Sequence, residues 1–140
     1  MKKISSRFSV ATHILVMMAL SPPLTGDQMA ASVQTNPVVI RRIIGQLKKA
    51  GLVNVKAGVG GATLRKDPCN ITLLDVYRAV EVVQDNELFS FHEDPNPDCP
   101  VGANIERLLR KVMQEAQMAM EERLSQVRLQ DLVGQLEIEN

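Results

Sequence analysis

Residues 36–66 constrain the fold more than any other stretch, because a helix with clear start and stop signals leads directly into a glycine-rich hairpin. An Asn-Pro pair suits the start of a helix, and Gly51 suits its end. Two short predicted strands, "LVNVK" at 52–56 and "ATLRK" at 62–66, then flank the turn "AGVGG", as expected for a β-hairpin. A basic helix followed by such a hairpin is the order found in a winged helix-turn-helix.

The glycines of this turn, Gly58, Gly60 and Gly61, could instead hold a phosphate. A P-loop requires Lys followed by Ser or Thr after its last glycine, and a dinucleotide-binding loop opens a helix. Here the tripeptide Ala-Thr-Leu follows, which is typical of a strand. The sequence therefore favours a wing, in which glycine lets the backbone approach the sugar-phosphate edge of DNA.

The N-terminal run, "MKKISSRFSVATHILVMMALSPP", allows two interpretations. Two lysines before "ILVMMAL" imitate a secretory signal, but the apolar run is short for that role. Phe8, Ala11 and Ile14 recur at helical spacing, which favours a core helix over about 5–20, followed by a short helix over about 26–32. Because no run approaches the roughly 20 apolar residues of a membrane span, we expect a cytoplasmic protein without a membrane partner.

Charge is divided unevenly along the chain, although the 140 residues carry no net charge. Residues 1–68 contain ten basic and two acidic residues, a net charge of +8, whereas residues 69–140 contain six basic and fourteen acidic ones, a net charge of −8. A split of this size favours a first half that faces a polyanion such as DNA. A chance difference between the halves of a globular chain is the alternative.

A long amphipathic helix is predicted from about 102 to 126, with a shorter helix at about 129–136. The apolar residues of the long helix recur at steps of three and four, as in the seam of a coiled coil. About 24 helical residues span roughly 36 Å, so a second copy of the chain is the economical partner. The predicted dimer interface consists of Ile105, Leu109, Val112, Ala116 and Met120.

Together these elements predict a mainly α-helical fold with one small β-hairpin: a winged helix-turn-helix domain followed by a long dimerisation helix. Aliphatic side chains have to form the core, because 45% of the residues are hydrophobic but only 3% are aromatic. We expect the DNA-binding domain at 1–83 and the dimerisation and C-terminal helices at 102–140. The loop at 84–101 is a possible sensor, because loops this long inside compact domains are commonly functional.

The run "NPVVIRRIIGQLKKAGLVNVKAGVGGATLRKDPCNITLLDVYRAVE", with "SSRFSVATHIL" before it and "CPVGANIERLL" after it, resembles the Rrf family of bacterial winged-helix transcription regulators. The most specific elements are L-x-x-A-G-L-V at the end of the third helix, the glycine wing and "ITLLDVYRAVE". The resemblance covers nearly the whole chain. It implies a homodimer joined by the long helix, which binds a double-stranded DNA operator with dyad symmetry.

Two positions depart from the family's pattern. Members often carry an arginine before the first wing glycine, where it enters the minor groove; Ala57 stands there, with Lys56 as a possible substitute. Members that bind an iron–sulfur cluster carry three cysteines in the loop before the dimer helix, whereas this loop has only Cys99. A [2Fe–2S] cluster needs about four ligands, and His92, Asp94 and a His13 contributed by a second copy would have to complete the set. We therefore expect no cluster, no metal and no other cofactor.

The candidate DNA contacts lie mainly on the third helix and the wing. Arginine bound to guanine is the commonest specific base contact, and residues at the helix start could reach bases or a thymine methyl group. Lysines suit phosphates, which carry affinity but little sequence information. A solvated helix face is the alternative, and Asn36 could serve only as a cap. The candidates are Arg7, Thr35, Asn36, Val38, Arg41, Arg42, Lys48, Lys49, Lys56, Gly58, Gly60 and Gly61.

The two cysteines, thirty positions apart, form neither a disulfide framework nor a zinc motif. Cys99 lies in "NPDCPVG", where the start of the long helix would lower the pKa of its thiol and nearby acids would oppose this. It is the first candidate for a redox sensor, with an ordinary thiol as the alternative. Cys69, near the base of the wing, is a weaker candidate.

We predict a sequence-specific DNA-binding transcription regulator, a homodimeric repressor that responds to redox or thiol stress. No catalytic constellation stands out, so we do not expect an enzyme. One alternative is a winged-helix module that binds only proteins; it would lack the steep salt dependence of DNA binding. The other is a regulator with a small-molecule effector, held between the first helix and the dimer helix by residues such as Met17, Met113 and Met118.

Overall fold

The computed structural model describes residues 6–20, 25–56, 61–80 and 98–139. The chain divides into two compact units, Ser5–Val82 with Leu124–Asn140 and Met1–Ile4 with Val83–Arg123. The C-terminal helix thus belongs to the same unit as the winged-helix elements, whereas the sequence grouped it with the long helix. The limits 1–83, 84–101 and 102–140 stay predictions for the functional division of the chain.

The described residues are mostly helical, with a single two-stranded sheet, which confirms the predicted fold class. A short 3-10 helix at Pro68–Asn70 was not predicted, and the long helix begins two residues before its predicted start. The elements are α1 Arg7–Leu20, α2 Gly26–Val33, α3 Pro37–Lys49, β1 Val53–Val55, β2 Ala62–Leu64, α4 Leu73–Val80, α5 Pro100–Ser125 and α6 Leu129–Glu139.

Reciprocal side-chain caps set the starts of α2 and α4. Thr25 Oγ1 accepts a hydrogen bond from the Gln28 backbone N–H at 3.2 Å, while Gln28 Oε1 accepts one from the Thr25 N–H at 2.9 Å. Thr72 and Asp75 form the same pair at the start of α4. These bonds satisfy N–H groups that a helix leaves without an internal partner. The first turns of both helices are therefore held at defined residues.

The turn between α2 and α3 contains a residue in the left-handed conformation. Gln34 has φ 59° and donates its backbone N–H to the carbonyl oxygen of Ala30. This conformation costs an L-residue about 1–2 kcal/mol, because Cβ approaches the next carbonyl oxygen. This residue ends α2, and α3 begins three residues later at Pro37.

The hairpin between α3 and α4 is short and asymmetric in burial. Its two strands are antiparallel, and its inner side chains, Val53 and Ala62, lie in the core, whereas Val55 is 42% exposed. The hairpin is therefore anchored at its base by apolar contacts. The paired residues are Val53 with Leu64, Asn54 with Thr63 and Val55 with Ala62.

The helix α1 lies at the centre of the core. It contacts α2, α3, α4, α6 and β2. Ala11, Ile14 and Leu15 on α1 are completely buried, so the predicted core helix is confirmed. Each large aliphatic side chain buried in this way contributes about 1.5–3 kcal/mol. The surrounding helices take their positions from this buried stripe.

Backbone hydrogen bonds join the start of α6 to the start of α4. The Leu73 N–H donates to the carbonyl oxygen of Val127 at 2.9 Å, and the Leu129 N–H donates to that of Ile71 at 2.8 Å. Leu129 is completely buried and Val133 is 4% exposed. The helix α6 is thus an integral part of the winged-helix unit.

The helix α5 lies almost wholly in the compact unit of Met1–Ile4 and Val83–Arg123. Its 26 residues correspond to about 39 Å at 1.5 Å per residue. Within the described ranges, no helix combines the length and apolar character that crossing a membrane requires.

Candidate nucleic-acid interface and sensor thiol

The helix α3 has one buried face and one basic face. Residues three, four and seven positions apart share a face of a helix, which separates the two sets. The buried residues are Ile40, Ile43, Ile44 and Leu47. The exposed residues are Val38, Arg41, Arg42, Gly45, Lys48 and Lys49. The two lysines also lie in the last turn, where cations stabilise the helix dipole, so their positions suit folding as well as anion binding.

The first turn of α3 presents an apolar side chain between polar ones. Asn36 Oδ1 accepts a hydrogen bond from the Val38 N–H at 2.8 Å, so Asn36 is the helix cap. One lone pair of this oxygen is engaged within the protein, so the amide nitrogen and the second lone pair remain for a contact to a base. Val38 is 53% exposed. Arg41 Nε donates to the Pro37 carbonyl oxygen at 3.4 Å, which draws that side chain towards the same end of the helix.

The base of the wing is closed by a hydrogen bond from the Lys56 N–H to the Gly61 carbonyl oxygen at 3.3 Å. Lys56 is exposed and Gly61 is half-buried. Ala57, Gly58 and Gly60 lie outside the described residues. The predicted contacts of the wing tip therefore stay predictions.

The remaining candidate DNA contacts differ in exposure. Arg7 on α1 and Thr35 before α3 are both half-buried, and the Thr35 N–H donates to the Ala30 carbonyl oxygen at 3.2 Å. Arg65 and Lys66, directly after β2, are both exposed. The sequence predicted that Lys66 suits a phosphate but omitted Arg65, although a second basic residue beside it was a sufficient signal.

An apolar stripe is exposed along α5. Of the predicted dimer interface, Leu109, Val112 and Ala116 are exposed, while Ile105 and Met120 are half-buried. Val101 and Leu108 were not predicted, yet they are 67% and 52% exposed. They continue the same spacing of three, four and seven residues. Apolar side chains repeated on one exposed helix face are typical of a surface that another helix covers.

Cys99 immediately precedes α5 and is exposed. The backbone N–H groups of Gly102 and, to a smaller extent, Val101 hydrogen-bond its sulfur and lower the pKa of the thiol, with slight desolvation acting in the opposite direction. Donors at a helix N-terminus favour the thiolate because they point at its negative charge. The expected effect of the helix start on this thiol is therefore present.

Cys69 lies in the 3-10 helix and is also exposed. A hydrogen bond with the Asp67 side chain is the main reason that its thiol has a raised pKa, with desolvation and the negative charge of Asp67 adding to it; Arg128 acts in the opposite direction. A nearby carboxylate disfavours a second negative charge. The pKa of the Cys99 thiol is thus lowered and that of the Cys69 thiol is raised. This difference agrees with Cys99 as the first candidate for a redox sensor and Cys69 as the weaker one.

An apolar pocket of about 470 Å³ lies between α1 and α6. Its lining includes His13, Met17, Leu20 and Leu136. The effector site that we predicted as an alternative lies elsewhere, between the first helix and the dimer helix. Met118, offered as a lining residue of that site, is 68% exposed on α5.

Known proteins resemble the chain over nearly its whole length. The model of the Rrf2 family, described as iron-dependent transcriptional regulators, matches residues 4–135. YwnA of Bacillus subtilis (strain 168), whose name describes an HTH-type transcriptional regulator, is 47% identical over 133 residues, which cover 95% of this chain and 98% of YwnA.

Two solved structures share the fold over the same extent. A crystal structure described as that of a DNA-binding protein has 42% identity and a TM-score of 0.75, and covers 91% of this chain and 98% of its own. CymR (YrzC), described as the global cysteine regulator of B. subtilis, has 25% identity and a TM-score of 0.68, over 96% of this chain and 98% of its own.

A helix-turn-helix with an exposed basic third helix and a following hairpin defines a winged-helix, DNA-binding transcription regulator. The similarity to named regulators supports the same class. The chain belongs to the Rrf2 family, and the predicted resemblance is confirmed.

The iron that the family description implies does not fit the donors that are described. The whole sequence has two cysteines, Cys69 and Cys99, and they belong to different compact units. Among the described residues, no three His, Cys, Asp or Glu side chains are grouped so as to hold a metal ion. His92 and Asp94 lie outside the described residues. The absence of a cluster, which needs about four protein ligands, therefore stays a prediction.

We expect the two thiols to react with iodoacetamide over different pH ranges. The thiolate is the nucleophile, so the alkylation rate should rise with pH around the pKa of the thiol. For Cys69→Ser, which keeps Cys99, the midpoint of this rise should lie below the ordinary pKa of a cysteine thiol. Cys99→Ser, which keeps Cys69, should show a midpoint above it. Gly102→Pro removes the strongest donor to Cys99 and should raise its midpoint, whereas the control Gly102→Ala keeps the N–H. Mass spectrometry of each variant against pH measures this, and equal midpoints for the two thiols would contradict the assignment.

Proposed function

We propose that the protein is a homodimeric repressor that binds an operator with dyad symmetry through α3 and the wing. The single observation that carries this proposal is the basic face of α3, which is exposed along the full length of the helix while its other face is buried in the core. Neutralising phosphates with lysine and arginine supplies most of the affinity of such proteins for DNA. The protein would act as a repressor where the operator that it occupies overlaps a promoter.

The side chains of α3 divide into two roles within this proposal. Arg41 and Val38, near the start of the helix, suit base edges, because a guanidinium pairs with guanine and an apolar group contacts the thymine methyl. Lys48 and Lys49, at the other end, suit phosphates and carry no sequence information. Lys56 would extend the phosphate contacts on to the wing.

The apolar stripe of α5 supports a second copy of the chain as the partner of that helix. Val101, Leu108 and Val112 are each more than half exposed, and helices with such a seam bury it by pairing. Two copies would present two recognition helices, which have to lie about 34–36 Å apart to enter successive major grooves on one side of DNA. Dimerisation is thus a condition of operator binding in this proposal.

Cys99 supports a response to oxidants. Its thiolate would attack a peroxide, form a sulfur–oxygen bond and release hydroxide, and the sulfenic acid would condense with a second thiol with loss of water. Because Cys99 directly precedes α5, either product would change the start of the helix that holds the two copies together. We assign no iron–sulfur cluster and no catalytic activity to the protein, in keeping with its two cysteines and the names of its relatives.

The DNA-binding proposal predicts a steep loss of affinity with salt. For a duplex enriched by the wild-type protein from a randomised library, fluorescence anisotropy should show a loss of about 10³-fold between 50 and 200 mM salt. Arg41→Ala should relax sequence preference at one position by about tenfold, whereas Lys48→Ala should weaken all duplexes alike and reduce the salt slope. A folded wild-type protein that enriches no duplex would favour a protein-binding module instead.

The dimer proposal predicts that one charge in the α5 stripe separates the copies. Val112→Glu places a carboxylate among apolar side chains, so sedimentation should shift from two chains to one while the circular dichroism stays helical. Operator affinity should then fall by about tenfold or more, since the second recognition helix is lost. The matched control Gln114→Glu adds the same charge at another exposed position of α5. If Val112→Glu still sediments as two chains, the apolar stripe of α5 is not the dimer interface.

The redox proposal predicts that peroxide releases the operator through one thiol only. Wild type and Cys69→Ser should lose operator binding after treatment with hydrogen peroxide and regain it with dithiothreitol, whereas Cys99→Ser should keep binding. Footprinting with and without oxidant measures this, and a non-reducing gel reports any disulfide between copies. Equal sensitivity of Cys99→Ser and wild type would remove Cys99 from the mechanism.

A further inference from the structure

Gly45 is an unexpected residue for its place in α3. It lies in the interior of this 13-residue helix, where glycine destabilises relative to alanine because its backbone loses more conformational freedom on folding. The residues around it in α3 include Ile43, Ile44 and Leu47, whose side chains are buried in the core. A glycine that weakens the proposed recognition helix therefore requires a reason.

The described part of the protein supplies none. Apart from the neighbouring residues and the backbone of α3 itself, no heavy atom of the described residues lies within 4 Å of a Cβ built at this position, so a side chain would meet open space. The left-handed conformation that demands glycine occurs elsewhere, at Gly51, and not at Gly45. Within the described chain, neither crowding nor backbone geometry excludes alanine at position 45.

The surroundings of Gly45 on the helix surface indicate what would approach it. At 3.6 residues per turn, Val38 lies on the same side two turns earlier, while Arg41 and Lys48 flank one side and Arg42 and Lys49 the other. All of these side chains are exposed, and so is Gly45. Gly45 is thus a gap in the middle of the basic face, with cations on either side.

We propose that Gly45 is the point of closest approach between α3 and DNA, where the groove wall makes van der Waals contact with the helix backbone. This inference rests on the proposed function. A side chain at this position would hold the helix away from the duplex, so that Arg41 and Val38 no longer reach the base edges. The affinity of the specific complex then depends on the small volume at position 45, and not on a charge there.

The non-specific complex should respond differently. It is held mainly by cations and phosphates, and such contacts tolerate a looser fit. A larger residue at position 45 should therefore weaken binding to the operator while leaving binding to an unrelated duplex largely unchanged. A purely structural role for Gly45 would not separate the two complexes in this way.

The test compares Gly45 with a matched glycine. Gly134 lies inside α6, and there too no described atom apart from its neighbours and the backbone of α6 is within 4 Å of a Cβ built on it. Gly45→Ala, Gly45→Gln, Gly134→Ala and Gly134→Gln are compared with wild type, on a duplex that wild type enriches from a randomised library and on an unrelated duplex of the same length. Glutamine favours helix and adds volume without charge.

We expect both alanine variants to unfold at a higher temperature, by about 2–4 °C, because alanine replaces glycine in a helix. For the enriched duplex we expect Gly45→Ala to lose about 3–10-fold and Gly45→Gln more than about 50-fold in affinity, since displacing a recognition helix removes base contacts worth that much. The Gly134 variants should bind as wild type does. Binding to the unrelated duplex should change less than about twofold in every variant.

Affinity of Gly45→Gln equal to that of wild type would overturn the inference, as would an equal loss in Gly134→Gln or an equal loss on the unrelated duplex. In each of these cases wild type still selects a duplex, so the proposed function stands. A wild-type protein that selects no duplex would remove the proposed function, and this inference with it.

Discussion

The burial of one face of α3 in the core is the interaction on which the rest of the molecule depends. Ile40, Ile43 and Leu47 are completely buried, and α3 contacts α1, which forms the centre of that core. A helix held along one face cannot rotate about its axis without exposing these side chains, at about 1.5–3 kcal/mol each. The cations on the opposite face are therefore presented to solvent in a fixed orientation.

The two compact units differ in how their apolar surface is used. In the winged-helix unit the aliphatic residues of α1, α3, α4 and α6 are buried against one another. Along α5, by contrast, Val101, Leu108 and Val112 stay more than half exposed. A stripe of this kind costs free energy in water unless another helix covers it. The link between oligomerisation and DNA binding that we propose has its physical origin in this contrast.

Much of the fold could be predicted because its signals are local. The Asn-Pro start and glycine end of α3, the glycine turn and the spacing of apolar residues each act within a few positions, and the observed elements follow them closely. The 3-10 helix at Pro68–Asn70 was missed, since only an Asp67 side chain and three residues define it. The placement of α6 against α1 and the 3-10 helix was also missed, because it depends on contacts between distant segments, with hydrogen bonds between residues about 55 positions apart.

The sequence by itself determined which residues are basic, which are apolar and at what spacing they repeat. This pattern was enough to predict the helices, the hairpin and the family. Only the tertiary structure decided which of those residues face outward. It engaged the Asn36 oxygen in a cap, lowered the pKa of the Cys99 thiol through the N–H groups of Gly102 and Val101, and left Gly45 beside open space. Exposure and hydrogen bonding depend on where distant segments pack, and that information is absent from the pattern of any single segment.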